Sequence, residues 1–593
     1  MDWEATDRAP ADGFYSRAVV GDLSPDPMTP LTATAGVGAA VARGWRDALA
    51  ETGVELADGE FPVARFGSHL YLDTAAALAV GECATGADPV ALARQYLGER
   101  SDVPRRHTLR RGVADGARLE AWTRGVLAGE FPGGNGASGQ LAGQHTDRGD
   151  TADRPAAELV SRIRTAGGAL AAAAHLLARA ELAAAVTGEL LTRIAEDAGH
   201  PSRTGELVAG GQATEVAETV WAVARQVARS ESLGQYWDRG LSVAARQVAG
   251  GRSTEARQVR RSLRAVADRY SYAGPAEWEL SSETWETDPR LLFGLIDVLR
   301  RAGDDARPAT RARHRAAVAA ESVARVRASL RRSPKSAELF DAALGASRGW
   351  LRAREHARRL VSGVHHEQRL AARELGRRAV ESGLLDSLDQ VFMLRAGELD
   401  RFATEPTELA EQLRMRSYDH RALARYQPPF TSVGPPPPVV RWSARDRSGV
   451  PAGRPRGPVC GTPASPGVGA GMARLPRNPA DLRDLRPGDI LVLPSAGPHW
   501  VPLVVAAAGV VVDGGAALSD VALACRDLGI PSVVATVDAT RRISRGDLVR
   551  VDGWAGAVRP TTGAAAAWPT AAPTAKSAAL SGGRPPPDEQ RLA

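Results

Sequence analysis

The segment around Asp520 combines residue types that could handle phosphate. Two adjacent glycines precede a helix-like stretch from Ser519 to Leu528, so Ser519 and Asp520 fall at a predicted helix N-terminus. Free backbone N–H groups and the helix dipole favour an anion there. A carboxylate can carry a phosphoryl group when magnesium and a cation offset the charge, and Arg526 is the cation nearby in sequence. The other interpretation is that Asp520 only stabilises the start of the helix.

Three further places in the sequence hold candidate reactive groups. The pair Arg354-Glu355, in a helical stretch, could hold an anionic group or belong to an ion-paired helix face. His499 precedes a tryptophan in loop-like sequence and could be an acid or a base, or an ordinary surface histidine. The pair His365-His366 lacks a second ligand at helical spacing, so we predict no metal site there.

Hydrophobic periodicity indicates the elements that must position these groups. Between residues 156 and 425 apolar side chains recur every three or four residues, which is typical of packed amphipathic helices. Further along, short β-branched runs alternate with helical sequence, as in a small β/α module. Predicted strands include 68–72, 489–493, 509–512 and 531–534. We therefore predict a multidomain α+β protein, in which a largely helical domain is followed by a small β/α domain.

Composition shifts suggest the domain limits. A stretch of Gly, Asn, Ser and Asp has too few large apolar residues to offset the entropy of ordering, and proline runs favour an extended spacer. The predicted units are a mostly helical domain at 12–425 with a disordered insertion at 129–154, a Pro/Gly-rich linker at 426–457, a β/α domain at 458–560 and a disordered tail at 561–593.

Composition also excludes several classes of partner. The net charge of +6 is spread along 593 residues, so we expect no nucleic-acid interface. No uninterrupted apolar run is long enough for a membrane helix, and the N-terminus lacks a signal-like apolar core, so we expect no membrane association. The three cysteines lie far apart, which argues against disulfides and zinc. These features predict a cytoplasmic protein.

The C-terminal module resembles the swivelling phosphohistidine domain of the phosphoenolpyruvate (PEP)-utilising enzymes, which include PEP synthase and rifampicin phosphotransferase. Several phrases occur in the family order. They are Gly461 to Gly467, Leu485 to Val492, Trp500 with Pro502-Leu503, Leu528 to Pro531 and Val549 to Gly553. In this family the swivelling domain carries phosphate to an acceptor held by a neighbouring domain.

The preceding helical part resembles the substrate-binding domain of the rifampicin phosphotransferase branch. The matching pieces include Ser16-Arg17, Thr29-Pro30-Leu31, Glu277 to Leu280, Arg354-Glu355 and Asp389 to Phe392. The resemblance implies a small-molecule acceptor bound near Arg17, Thr29, Glu277, Arg354, Glu355 and His499, and phosphate contacts from Ser519 and Arg526. Arg17 and Thr29 could instead only shape a turn.

Two departures from the family pattern alter the expected chemistry. The carrier histidine is replaced by Asp520, and the family threonine that contacts phosphate falls on Val512. The sequence also contains no GxxxxGK[ST] loop and no phosphate-gripping lysine. We therefore expect no cofactor to bind to this chain alone. ATP and Mg²⁺ would act through a separately encoded ATP-grasp protein.

The main functional hypothesis is a subunit for ATP-dependent phosphotransfer to, or activation of, a small organic acceptor in secondary metabolism. In this scheme Asp520 is a degenerate carrier. Two alternatives stay open at this point. One is a non-catalytic ligand-binding or regulatory subunit, and the other is a lyase or dehydratase that uses the acceptor pocket without phosphate.

Overall fold

The computed structural model describes residues 13–21, 24–56, 61–86, 114–131, 151–200, 204–208, 214–445, 457–476, 481–495 and 497–561. Most of this part of the chain is helical. The helices of the first half are α1 (Pro30–Thr34), α2 (Val37–Glu51), α3 (Thr74–Thr85), α4 (Gly116–Leu127), α5 (Ala156–Asp197), α6 (Thr204–Leu207), α7 (Glu215–Ala228), α8 (Glu231–Asp238), α9 (Leu241–Gly250), α10 (Thr254–Tyr270) and α11 (Arg290–Arg300).

The second half of the described chain continues with fewer and, at first, longer helices. They are α12 (Pro308–Ser329), α13 (Pro334–Glu381), α14 (Leu399–Thr404), α15 (Thr407–Leu423), α16 (Val501–Val504), α17 (Asp520–Leu528) and α18 (Ala539–Arg542). Proline at the first turn starts α12, α13 and α16, where its missing N–H costs no hydrogen bond.

Two long helices form the axis of the helical domain. Helix α13 spans 48 residues and packs along α5, which spans 42. By length and composition α5 could cross a membrane, but 67% of its most apolar window is buried inside the protein. Its alanines and leucines pack against α2 and α13 in one apolar core. The apolar character of α5 therefore accounts for its place in that core.

A small sheet lies at the N-terminal side of these helices. It contains β1 (Phe14–Ser16), β2 (Val63–Phe66) and β3 (His69–Asp73), with the order β2-β3-β1-β5. Gly67 and Ser68 connect β2 to β3 with positive φ angles of 51° and 58°, as a tight hairpin turn requires. Strand β5 (Thr431–Val433) pairs antiparallel with β1.

The proline-rich segment predicted as a spacer therefore joins the first domain over part of its length. Besides β5, it contains β4 (Tyr426–Gln427) and β6 (Ser443–Ala444), which pair with each other. Residues 446–456 lie outside the described residues. The same holds for 132–150 of the predicted insertion and for 562–593 of the predicted tail. The ends of the insertion contact the helices, since the ring of Phe131 lies 4.8 Å from that of Trp350.

The C-terminal domain is an eight-stranded sheet with helices beside it. Its strands are β7 (Val459–Cys460), β8 (Thr462–Ser465), β9 (Val468–Arg474), β10 (Ile490–Leu493), β11 (Gly509–Val512), β12 (Ser532–Val534), β13 (Leu548–Asp552) and β14 (Ala557–Pro560). The order is β7-β14-β13-β9-β10-β11-β12-β8, and β9 to β12 run parallel. Buried Val and Ile fill the parallel strands, as in sheets covered on both faces.

The β/α domain packs directly on helices α7 to α11. One apolar core joins Val220 and Trp221 of α7 and Leu295 of α11 to Trp500 and Val521 of the β/α domain. The prediction of a multidomain α+β protein, with a helical domain followed by a small β/α domain, is confirmed. The shared core brings the N-terminus of α17 against the helical domain.

Candidate functional site

Asp520 lies at the first turn of α17, in the contact between the two domains. Ser519 is the N-cap residue, and the αL glycine Gly529 ends the helix after nine residues. Only 4% of the Asp520 surface is exposed. A buried carboxylate needs a charged partner, because removing it from water is costly. Helix α13 supplies that partner.

Two arginines of α13 approach the same oxygen of Asp520. Nη1 of Arg354 lies 3.4 Å from Asp520 Oδ1, and Nε of Arg358 lies 3.3 Å from it. The four-residue spacing places both guanidinium groups on one face of α13. Both arginines are buried, with 5% of their surface exposed. The carboxylate at the predicted carrier position is therefore held between two cations of the helical domain.

Further carboxylates surround these arginines. Arg354 Nε donates to Glu181 at 2.7 Å, and its Nη1 donates to Glu355 at 2.9 Å. Arg358 Nη1 donates to Glu277 at 3.1 Å, and the hydroxyl of Ser362 donates to the same Glu277 oxygen at 2.9 Å. Four acids and two arginines thus form one buried cluster, which we call the charged cluster: Glu181, Glu277, Arg354, Glu355, Arg358 and Asp520.

Burial shifts the proton affinities in the charged cluster. Desolvation raises the pKa of Glu277 to about 7, despite the opposing effect of Arg358. Burial likewise raises the pKa of Glu181 and of Glu355, and a hydrogen bond with Asp520 raises that of Glu355 further. Burial alone would lower the pKa of Arg354, but the neighbouring carboxylates raise it above its usual value. The arginines stay charged while the glutamates can hold protons.

A cavity opens beside the charged cluster. Glu181, Arg354, Arg358, Ser519 and Asp520 form its polar end. The rest of the wall is apolar and comes from both domains. It includes Val19, Val20, Val41, Trp45, Leu177 and Leu518. A largely apolar cavity with a few convergent polar groups is the usual form of a small-molecule site.

A second, smaller cavity also reaches Asp520. Its wall includes Glu215, Glu355, Arg359 and Val501. Asp520 and Arg358 line both cavities. The carboxylate of Asp520 therefore lies between a large apolar space and a smaller polar one. Within the described part of the chain, no group of three or more His, Cys, Asp or Glu residues is arranged to hold a metal ion.

Of the residues predicted from the sequence, Glu277, Arg354, Glu355, Ser519 and Asp520 lie in or beside this site. Arg17 and Thr29 have other contacts. The buried guanidinium of Arg17 donates to the carbonyl oxygens of Ser24 and Pro25, and burial lowers its pKa to about 10. The hydroxyl of Thr29 donates to Glu279 at 2.7 Å. Both contacts fix the chain near the start of α1, which agrees with the interpretation that these residues shape a turn.

His499 and Arg526 belong to the domain contact rather than to the wall of the large cavity. The His499 ring is 4.5 Å from that of Trp500, and burial lowers its pKa to about 3. It is therefore a neutral buried residue and not the surface histidine considered from the sequence. Arg526 Nε donates to the carbonyl of Ala464 at 2.6 Å, in the neighbouring strand β8.

Sequence reasoning missed Glu181 and Arg358. Each had a detectable signal. Glu181 is an acid within a run of alanine and leucine on α5, where an unpaired charge would be costly. Arg358 follows Arg354 at the i+4 spacing that places two side chains on one helix face.

The fold is a two-domain arrangement in which a helical domain contacts a small β/α module around Asp520. Comparisons with known families agree. Residues 173–355 match the family described as the rifampicin phosphotransferase fourth domain, and residues 485–556 match the PEP-utilising enzyme mobile domain. Two separate parts of the chain are therefore similar to domains of the PEP-utilising enzymes.

The chain is also similar, over part of its length, to several curated proteins. The chain is 28% identical over 318 residues to the rifampicin phosphotransferase of Streptomyces sviceus, which covers 52% of this chain and 34% of that protein. It is 42% identical over 102 residues to a probable PEP synthase of Staphylothermus marinus, covering 17% and 12%. It is 32% identical over 251 residues to the chondramide synthase of Chondromyces crocatus, covering 39% and 6%. The chain spans about a third or less of the length of these relatives.

Proposed function

We propose that this chain binds a small organic acceptor in the large cavity and takes part in its ATP-dependent phosphorylation. The nucleotide and Mg²⁺ would be supplied by a separately encoded ATP-grasp protein, and the setting would be secondary metabolism in the cytoplasm. The similarity of residues 173–355 and 485–556 to domains of that family supports the general chemistry. The similarity to a chondramide synthase supports the setting, because that relative is named for the synthesis of an organic product.

One observation carries the proposal. Two arginines and a largely apolar cavity meet at Asp520, which is the residue at the predicted carrier position. Arginine pairs bind phosphoryl oxygens well because their charge is permanent and their donors are planar. During transfer, a carboxylate oxygen of Asp520 would bond to phosphorus as the bond to the donor breaks. The oxygen of an acceptor hydroxyl would then bond to phosphorus as the bond from phosphorus to Asp520 breaks, which restores the carboxylate of Asp520. The proton of the hydroxyl would pass to a nearby deprotonated carboxylate, such as that of Glu181.

The test uses the full chain, radiolabelled ATP, Mg²⁺ and a candidate ATP-grasp protein. We expect label on this chain that hydroxylamine releases, since hydroxylamine cleaves acyl phosphates. The variant Asp520→Asn should lose the label. Asp527→Asn, which changes another largely buried acid of α17 outside the cavity wall, should keep it. Absence of label on the unmodified chain would contradict the carrier role.

A second candidate is a lyase or dehydratase that works by acid–base chemistry. The observation that favours it is the raised pKa of Glu181 and Glu355 beside the cavities, because a carboxylic acid that keeps its proton can protonate a leaving group. This activity would need no nucleotide. Product formation from the acceptor without ATP would favour the lyase, whereas strict dependence on ATP and the ATP-grasp protein would favour phosphotransfer.

A further inference from the structure

Three polar atoms of residues on the wall of the large cavity have no hydrogen-bond partner among the described residues. One, Nε of Arg358, lies 3.3 Å from Asp520 Oδ1 in an ion pair, and the other two have no ion-pair contact. These two are the hydroxyl oxygen of Ser519 and the indole nitrogen of Trp278. Ser519 is 7% exposed and Trp278 is 3% exposed. Leaving a buried donor unpaired costs about 1–3 kcal/mol. Both groups can recover this energy from a ligand in the cavity.

The conformation of Ser519 supports this interpretation. Ser519 is the N-cap residue of α17, with φ of −66° and ψ of 156°. A serine at this position usually accepts a hydrogen bond from a backbone N–H of the first turn. Here its side chain makes no capping hydrogen bond. The hydroxyl of Ser519, which directly precedes Asp520 on the cavity wall, can therefore bind a ligand in the cavity.

The charged side chains at the polar end of the cavity are already paired with one another. Glu181, Arg354, Arg358 and Asp520 line it, two acids against two bases. Arg354 contacts both acids, and Arg358 contacts Asp520. A charged ligand group would have to break one of these buried pairs or remain unpaired, and either outcome is costly.

We infer that the large cavity accepts an uncharged, largely apolar molecule that carries a hydroxyl group for Ser519 and a carbonyl-type oxygen for the indole N–H of Trp278. The indole N–H can only donate, so its partner must be an acceptor. The serine hydroxyl can donate and accept, so it fits an alcohol. This inference rests on the proposed function only in treating that alcohol as the phosphoryl acceptor, because it lies next to Asp520.

The experiment measures binding to the full chain without nucleotide, by calorimetry. The main probe is a medium-chain methyl ester with a terminal hydroxyl group. Two probes each lack one polar group: the same ester without the hydroxyl, and the alcohol without the ester. Two charged probes of equal length are the free hydroxy acid and the amino ester. We expect the hydroxy ester to bind about tenfold more tightly than either charged probe, with a negative heat-capacity change from apolar burial.

Substitutions assign the two contacts. Ser519→Ala should weaken binding of the hydroxy ester about tenfold and leave the ester without the hydroxyl unchanged. Trp278→Phe should weaken the hydroxy ester and leave the simple alcohol unchanged. Trp45→Phe is the matched control, because it removes part of another tryptophan on the same wall whose nitrogen is not one of the buried donors without a partner. It should change all uncharged probes by the same factor.

The outcomes separate this inference from the proposed function. Equal or tighter binding of a charged probe, or no binding of the hydroxy ester, would overturn the assigned ligand class. Equal effects of Ser519→Ala on the ester with and without the hydroxyl would overturn the Ser519 contact. If the uncharged probes bind as expected but no phosphoryl transfer to or from this chain occurs with ATP and the ATP-grasp protein, only the proposed function fails.

Discussion

The two domains place different kinds of buried polar group in the contact between them. The helical side presents Arg354 and Arg358 together with acids that pair with them. The β/α side presents the carboxylate of Asp520 and the neutral groups Ser519 and His499, and its Arg526 contacts the helical domain near Gly205. Asp520 is thus the group through which the β/α domain enters the charged cluster. The difference indicates that the charge of Asp520 stabilises the contact, in addition to any role in chemistry.

The largest expected effect comes from removing Arg358. Arg358→Ala leaves Asp520, Glu355 and Glu277 without one of their two nearest cations in the charged cluster. Breaking a buried pair by removing one partner costs about 3–5 kcal/mol. We expect a loss of this size in the free energy of unfolding, measured with denaturant.

The neighbouring residue supplies the control for this prediction. The side chain of Arg359 is 33% exposed and pairs with Glu215, which is 43% exposed. Arg359→Ala should cost less than about 1 kcal/mol, because such pairs are screened by water. Equal losses for the two variants would show that the charged cluster does not hold the domains together.

The second effect is a pH dependence on the helical side. The pKa of Glu277 is raised to about 7 from 4.5, so the folded protein holds a proton there that the unfolded chain has lost. The stabilisation that comes from the proton on Glu277 is complete below about pH 4.5 and is lost as the pH rises through about 7. The free energy of unfolding changes by up to about 3 kcal/mol over this range. Glu277→Gln should remove this decline. Denaturant midpoints of both proteins across this range test it, and parallel pH curves would contradict it.

A third effect concerns Asp520 itself. Asp520→Asn keeps the shape of the side chain but leaves Arg354 and Arg358 with one fewer counter-charge, which should cost about 2 kcal/mol. Because the pair is buried, the loss should be nearly the same at low and high salt. Asp538→Asn in the same domain is the control, since Asp538 and Arg542 are both about one-third exposed. If the loss of stability in Asp520→Asn disappears at high salt, Asp520 is exposed to solvent and not buried.

Local signals predicted much of the β/α domain. The predicted strand at 509–512 is β11, and the predicted strand at 489–493 differs from β10 by one residue. The predicted helix at Ser519 begins one residue later, with Ser519 as its N-cap. These elements follow from β-branched runs, glycine and N-cap residues, all of which act within a few positions along the chain.

The charged cluster could be predicted only in part. Arg354 and Glu355 were found from a family phrase, but Glu181 lies 173 positions from Arg354 in the sequence. Their pairing depends on how α5 and α13 pack, which no local pattern specifies. The pairing of residues 431–433 with β1 has the same origin. Proline-rich sequence favours extended backbone, and an extended segment can serve as a spacer or as an edge strand.

The smallest expected effect tests the neutral side of the contact. Burial lowers the pKa of His499 to about 3 from 6.5, so the folded state resists protonation of this ring. The stability contributed by the neutral His499 ring is complete above about pH 6.5 and is lost as the pH falls toward 3. This pH dependence is opposite in sign to that of Glu277. His499→Phe should change stability little at neutral pH and reduce the acid loss by about 1–2 kcal/mol near pH 5. Denaturant midpoints at the two pH values check this, with Glu277→Gln as the comparison. The His499 variant could instead lose as much stability in acid as the unmodified protein. That result would show that His499 is exposed to water, and it would contradict the difference between the two sides of the contact.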